Sequence, residues 1–299
     1  MDKRDNNFDA IIIGAGPAGL TAGTYLGRFR RRCLLLEDGS SRARWIPTSH
    51  NIPGFTAGIG GTELLARLQD QATKYGTDIR SARVTAVTKA SNAFTVTTAA
   101  NENYVSRFLL LATGTRDHLP QLPGAPEAVM RSLLRFCPIC DGFEAIDKRI
   151  AVVSDGPVGE REAQFLTTYS NHVALLQLGS TSNTVNNKWS TRGIEAIPIT
   201  LSDLIIEDRE VALRTDSGEA RRFDAVYLAL GCTAQNALAV GLGGECDAHG
   251  ALTVNAHQET SVPGLYAAGD VVRGLNQVIV AAAEAAIAAT DIHNKLRQF

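Results

Sequence analysis

The chain has little cysteine, five residues in 299, an odd number without the dense spacing of a disulfide framework. That excludes a small extracellular module stapled by disulfides and points to a reducing compartment, with the cytoplasm as the expected address. Long apolar runs are missing too: none approaches the roughly 18 residues that span a bilayer, so no membrane partner is expected. The N-terminus passes from charged residues straight into the short run Ala10-Ile-Ile-Ile13, too short for the core of a signal peptide. Nor is either charge in excess, with 29 Lys plus Arg against 31 Asp plus Glu and a formal charge of −2. Without a basic surplus, nucleic acid is not an expected partner. What remains is an ordinary globular balance, 44% apolar and 20% charged, in a chain longer than the roughly 100–200 residues of one domain. Two domains with a sizeable core are expected.

The segment Phe8-Asp-Ala-Ile-Ile-Ile-Gly-Ala-Gly-Pro-Ala-Gly-Leu20 reads as an apolar strand, a glycine turn and a helix running to Phe29. A second strand, Cys33-Leu-Leu-Leu-Glu37, follows at once. A crossover of this length needs a helix on one face, which makes the two strands parallel. The pattern returns from Asp147 to Gly159, with a helical run to Tyr169 and a strand at Val173 to Leu178. Phe108 to Gly114 and Val226 to Gly231 then read as late strands of two related domains. Thr115 to Pro126 carries Pro120, Pro123 and Pro126 and suits an interdomain linker. The return connection is placed within Gly241 to Gly250. Beyond it, Gly264 to Val272 reads as a strand and turn, and Asn276 to Leu296 as an Ala-rich helix completing the first domain. The expected fold class is α/β, with two Rossmann-like three-layer dinucleotide-binding domains, the second inserted in the first. Their limits are 1–117 with 248–299, and 118–247.

Three constellations carry chemistry. The first is Gly14-x-Gly16-x-x-Gly19 with Glu37, close to the spacing of about 20 residues at which an acid meets an adenosine ribose. Gly14 permits the tight turn, Gly16 lets backbone approach a pyrophosphate, and Gly19 lets helix pack on strand. The second is Cys137-Pro-Ile-Cys140 followed by Asp141. Two such cysteines can close a small disulfide ring, whose cycling needs a thiolate attacker and a nearby proton donor, a role open to Asp141. Half of a zinc site and two buried thiols are the competing readings. Zinc would want a second pair, whereas Cys33, Cys232 and Cys246 are isolated and the six histidines form no spaced pair, so no metal is expected. The third is Gly269-Asp270 at a strand end with Asn276-Gln277-Val278 opening the last helix. A carboxylate there can bind a polyol hydroxyl, and a helix start can favour negative charge on a flavin ring.

In this order the motifs resemble those of the low-molecular-weight thioredoxin reductases, and the resemblance covers nearly the whole chain. Asn51-Ile-Pro-Gly-Phe55 is similar to the flavin loop of that family. The resemblance implies FAD held by Gly14, Gly16, Ala18, Gly19, Glu37, Asn51, Thr113, Gly114, Asp270, Gln277 and Val278. It further implies that Cys140 faces the flavin, that Cys137 exchanges with a thioredoxin-like or other thiol partner, and that Asp141 handles protons. A homodimer and a swivelling second domain are implied with it.

The second glycine turn departs from the family. It reads Ser154-Asp-Gly-Pro-Val-Gly159, with Ser for the first glycine and Asp155 beside the pyrophosphate position, where two like charges at about 4 Å repel by roughly 1 kcal/mol in water. Glu160 and Glu162 add negative charge on the first helical turns, and no arginine follows the next strand before Arg192. His50 stands where the family often has an acid, and Asn276 where it often has arginine. The expectation is therefore an FAD-dependent disulfide/dithiol oxidoreductase that does not use NADPH, fed by ferredoxin, a second flavin or another carrier. The alternatives are an NADPH-dependent thioredoxin reductase with a divergent fingerprint, an oxygen-using dithiol oxidase, and a non-catalytic flavin redox sensor.

Overall fold

A computed structural model of the chain describes residues 6–179, 193–214, 220–272 and 274–298. Residues 180–192, which run up to and include Arg192, the first arginine after the strand that follows the second glycine turn, lie outside the described residues. The chain begins with β1 (Asn7–Ile13), α1 (Pro17–Arg28), β2 (Cys33–Glu37), α2 (Gly61–Lys74), β3 (Asp78–Ser81), β4 (Val84–Ala90), β5 (Ala93–Thr98) and β6 (Asn103–Leu111). There follow β7 (Thr115–Asp117), α3 (Ala125–Met130), β8 (Leu134–Arg135), α4 (Pro138–Asp141), β9 (Ile150–Ser154), α5 (Pro157–Leu166), β10 (Val173–Leu178) and β11 (Glu195–Ile199). Then come β12 (Leu204–Ile206), β13 (Val211–Arg214), β14 (Ala220–Phe223), β15 (Ala225–Ala229), β16 (Cys232–Ala234), α6 (Ala237–Val240), β17 (Leu265–Ala267) and α7 (Val278–Arg297). No helix among the described residues is long and apolar enough to cross a membrane.

Two compact units emerge, one of Met1–Arg44, Ile59–Arg116 and Thr233–Phe299, the other of Trp45–Gly58 and Asp117–Cys232. In the first, the sheet order is β3-β2-β1-β6-β5-β4, with β17 also paired to β6. The run Ala10 to Ile13 is buried on both faces, as a central parallel strand requires. It sets Ala10 opposite Cys33 on β2 and Ile13 opposite Leu111 on β6. Strands β4 and β5 are antiparallel, and β5 buries alternate residues, Phe94, Val96 and Thr98, because only one of its faces is covered. Helix α1 packs on β1, β2 and α7. Ala281, Ala285, Ala288 and Ala289 are buried along α7, and their small side chains allow a close helix approach.

In the second unit, five strands in the order β11-β10-β9-β15-β8 are all parallel. Alternation along β9 and β15 divides its core. Ala151, Val153, Val226 and Leu228 face one cluster, while Ile150, Val152, Ala225 and Tyr227 face the other. A small antiparallel sheet, β12-β13-β14, is attached. The segment read as a linker ends differently from the expectation. Pro126 falls in the first turn of α3, where a missing N–H costs no hydrogen bond.

Candidate functional site

In the first unit the glycine turn after β1 has a separate physical reason for each glycine. Gly14 has φ +108°, and a Cβ there would lie 2.3 Å from the Ala112 carbonyl oxygen. A Cβ on Gly19 would lie 1.8 Å from the Gly14 oxygen, so this residue lets α1 close on β1. Gly16 is different. A Cβ there would meet only Ser41 Oγ, at 3.5 Å, so packing does not require glycine at that position. It is also the N-cap of α1, in extended conformation and without a side-chain cap, which leaves the first helical N–H groups for an anion.

The other residues of this unit gather at the same end of its parallel strands. Glu37 ends β2, and its Oε2 accepts the Gly39 N–H at 2.7 Å. Thr113 and Gly114 follow β6; the Thr113 hydroxyl donates to the Gln235 oxygen at 2.7 Å, and Gln235 N–H donates to the Gly114 oxygen at 2.9 Å. Asp270 follows β17 and pairs with Arg42 at 3.0 Å. Ahead of it the Gly269 N–H donates to Glu284 Oε2 at 2.7 Å, and a Cβ on Gly269 would sit 3.0 Å from the Ala18 Cβ. Burial raises the Glu284 pKa, opposed by the Gly269 N–H. Gln277 is the N-cap of α7, which opens at Val278. Carboxyl ends of parallel strands are where open α/β sheets bind dinucleotides. The open Gly16 turn and the uncapped α1 fit FAD. Arg42 and Glu284 were not found by sequence reasoning, since each carries signal only through a partner in another element, Asp270 for Arg42 and the Gly269 N–H for Glu284.

The remaining residues lie in the second unit. Cys137 and Cys140 form a disulfide, with sulfurs 2.06 Å and Cα atoms 5.3 Å apart, and both are half-buried. Cys137 is the N-cap of α4, Pro138 opens it, and the Cys140 N–H donates to the Cys137 oxygen at 2.9 Å. A Cβ on Gly142 would meet the Pro138 oxygen at 2.6 Å and the Tyr169 ring at 2.7 Å, which fixes the turn behind Asp141. The Asp141 carboxyl is held by Tyr227, whose hydroxyl donates to Oδ1 at 2.9 Å. Arg135 Nη1 donates to the Asp141 backbone oxygen at 2.8 Å. Burial raises the Asp141 pKa, with Arg135 and the Tyr227 hydrogen bond acting against it. Arg135 and Tyr227 went unnoticed in the sequence, where one is an arginine ahead of Cys137 and the other a tyrosine inside an apolar strand. Asn51 belongs to this unit as well. Its Oδ1 accepts the Ser49 hydroxyl at 2.9 Å, and neighbouring His50 pairs with Glu144 at 3.2 Å. Ile139 and Phe143, on either side of Cys140 in the chain, are exposed apolar residues. No cluster of His, Cys, Asp and Glu that could hold a metal occurs among the described residues.

The second glycine turn, between β9 and α5, is closed on itself. Ser154 Oγ accepts the Gly156 N–H at 3.0 Å and donates to the Gly156 oxygen at 2.7 Å. A Cβ on Gly159 would fall 2.2 Å from the Ser154 Cβ, so the serine makes that glycine obligatory. Glu162 on α5 is pushed up to about 7 by burial.

A family model described as pyridine nucleotide-disulphide oxidoreductase matches residues 8–285. A thioredoxin reductase of Mycolicibacterium smegmatis is 31% identical over 312 aligned residues, taking in 100% of this chain and 99% of that protein. Thioredoxin reductase 1 of Saccharomyces cerevisiae is 31% identical, over 95% of this chain and 97% of its own. The solved structure of HlmI, 28% identical, superposes with a TM-score of 0.88 over 99% of this chain and 94% of that one.

Proposed function

Because the chain belongs to the pyridine nucleotide-disulphide oxidoreductase family, we propose that it is an FAD-dependent disulfide reductase of the thioredoxin reductase type. On this reading it draws electrons from NADPH and passes them through Cys137 and Cys140 to a thioredoxin-like partner. The observation that carries the reading is the disulfide-bonded Cys137–Cys140 pair with the half-buried Asp141 carboxyl following it on the same turn.

Bound FAD supplies a carrier that takes two electrons from a nicotinamide and releases them to a disulfide. Once the Cys137–Cys140 bond is reduced, the Cys137 thiolate attacks one sulfur of the partner disulfide, and the partner's second sulfur leaves as a thiolate. Cys140 then attacks Cys137, which restores the internal disulfide and frees the partner as a dithiol. Two electrons and two protons go to the partner in each round, and Asp141 is the group that holds one of the protons. Its raised pKa brings it closer to the working pH, where proton exchange is most effective. Exposed Ile139 and Phe143 offer the partner an apolar surface beside the sulfurs. The same reading carries a homodimer in the cytoplasm.

The expectation of an NADPH-independent enzyme rested on Ser154 and Asp155, on Glu160 and Glu162 in the helix that follows, and on the lack of an arginine before Arg192. The family match and the relatives named thioredoxin reductase over nearly their whole lengths support instead the alternative weighed beside it, an NADPH-dependent reductase with a divergent turn. One observation favours a second reading with another donor: the Ser154 hydroxyl already holds the Gly156 N–H, a group that a pyrophosphate would use.

Anaerobic mixing tests both. Micromolar NADPH should bleach the flavin absorbance within seconds, and oxidised thioredoxin should then emerge as the dithiol. Cys137→Ser and Cys140→Ser should each lower thioredoxin turnover by ~100-fold or more, as loss of a nucleophile does. Bleaching by reduced ferredoxin but not by NADPH would transfer the conclusion to the second reading. Full turnover in Cys140→Ser would overturn the role of the pair.

A further inference from the structure

Two buried polar side chains behind the disulfide turn take no part in sulfur exchange. The Arg135 side chain, at the end of β8, is 5% exposed, and Tyr227 is wholly buried in the middle of β15. Register sets them opposite each other on neighbouring parallel strands. A guanidinium and a phenol at such positions are costly, because each must give up water that an aliphatic side chain would never have held. Their hydrogen bonds show where that cost is recovered, for they converge on Asp141. Arg135 Nη1 donates to the Asp141 backbone oxygen at 2.8 Å, lies 3.7 Å from Oδ2, and donates to the Tyr227 hydroxyl at 3.3 Å. The Tyr227 hydroxyl donates to Oδ1 at 2.9 Å. Arg135 Nε is anchored on the Ser132 oxygen at 3.0 Å, which ties the arrangement to the loop before β8.

We propose that Arg135 and Tyr227 are positioning residues that aim the Asp141 carboxyl and set how readily it exchanges a proton with the Cys137–Cys140 dithiol. The proposal rests on the assignment of Asp141 as the proton-handling group. The groups facing Asp141 are Arg135 from β8, Tyr227 from β15, and Glu144 and Lys148 from the segment after α4. Burial and Glu144 favour the protonated acid, while Arg135, Tyr227 and Lys148 favour the carboxylate. Removing Arg135 or Tyr227 therefore leaves the carboxyl in place with burial less opposed.

The experiment follows reduction of the Cys137–Cys140 bond in the holoenzyme by dithiothreitol, quenched with acid and counted as thiols, from pH 4 to pH 9. No physiological partner is assumed. Wild type should show a break in log rate that Asp141→Asn abolishes. Tyr227→Phe should move the break to higher pH by about one unit, a tenfold change in proton affinity. Arg135→Met should move it the same way, and Arg135→Lys, which keeps the charge, should return it most of the way. A merely structural role would lower the melting temperature of these variants without moving the break. An unmoved break in Tyr227→Phe, with Asp141→Asn abolishing it, would overturn the proposal alone. A break that survives in Asp141→Asn would sink the reading of Asp141 and the proposal with it. Tyr227→Phe removes one oxygen, so the test stands even where Arg135→Met fails to fold.

Discussion

A carboxyl group that is partly withdrawn from water holds its proton more tightly, and half-buried Glu162 is in that position. Its Oε2 is buried and has no hydrogen-bond partner among the described residues, and burial pushes its pKa up to about 7 against the opposing charge of Arg161. The folded state thus holds a proton that the unfolded chain releases near pH 4.5. Relative to the unfolded chain, the folded form is favoured below that pH and loses stability as pH rises from there through about 7. Glu162→Gln should flatten this slope and stabilise the protein at pH 8 by about 1 kcal/mol, part of the full effect because solvent still reaches the group. Urea unfolding at pH 5 and pH 8 checks the difference. The consequence reaches the second glycine turn. Sequence reasoning counted Glu162 as a full negative charge against a phosphate, whereas near neutrality it is only partly ionised. Burial, which decides this, cannot be seen in the residue type.

At the scale of the element, the turn between β1 and α1 separates glycines needed for packing from one that packing leaves free. Gly19→Ala would drive a methyl group to within 1.8 Å of the Gly14 oxygen and should cost several kcal/mol, on the order of severe overpacking. Gly16→Ala meets only Ser41 Oγ at 3.5 Å and should leave the apoprotein within ~0.5 kcal/mol of wild type, while FAD binding weakens at least tenfold. Thermal melts of the apoproteins and FAD titrations distinguish the two. Along α7, Ala285→Leu would force an extra side chain into a fully buried position and should destabilise by about 1–3 kcal/mol, read from urea midpoints. These elements were legible because Ile11–Ile13 and Leu34–Leu36 are unbroken apolar runs and the glycine spacing is local. The triad around Asp141 was not, because the register of β8 on β15 brings Arg135 to Tyr227 across the chain. Pro126 misled for a related reason: a proline is as much at home in the first turn of a helix as in a linker.

Across the whole molecule each compact unit has its own apolar core, one around Ile11, Leu34 and Leu109, the other on both faces of β9 and β15. Ten of the eleven residues read as FAD contacts belong to the first unit, with Asn51 the exception. Calorimetry should therefore resolve two transitions. FAD at a hundredfold excess over its Kd, about 2.7 kcal/mol of linkage, should raise one of them by about 5–10 °C and move the other far less. A single transition that shifts as one would contradict separate unfolding. The division also has a consequence for inheritance. The second unit is assembled from Trp45–Gly58 and Asp117–Cys232, so a gene fragment exchanged with a relative over 117–232 alone leaves part of the unit with its old parent. Such a chimaera would pair one lineage's His50 with another's Glu144, partners 3.2 Å apart. Faithful recombination of this module has to move two separate stretches of gene together.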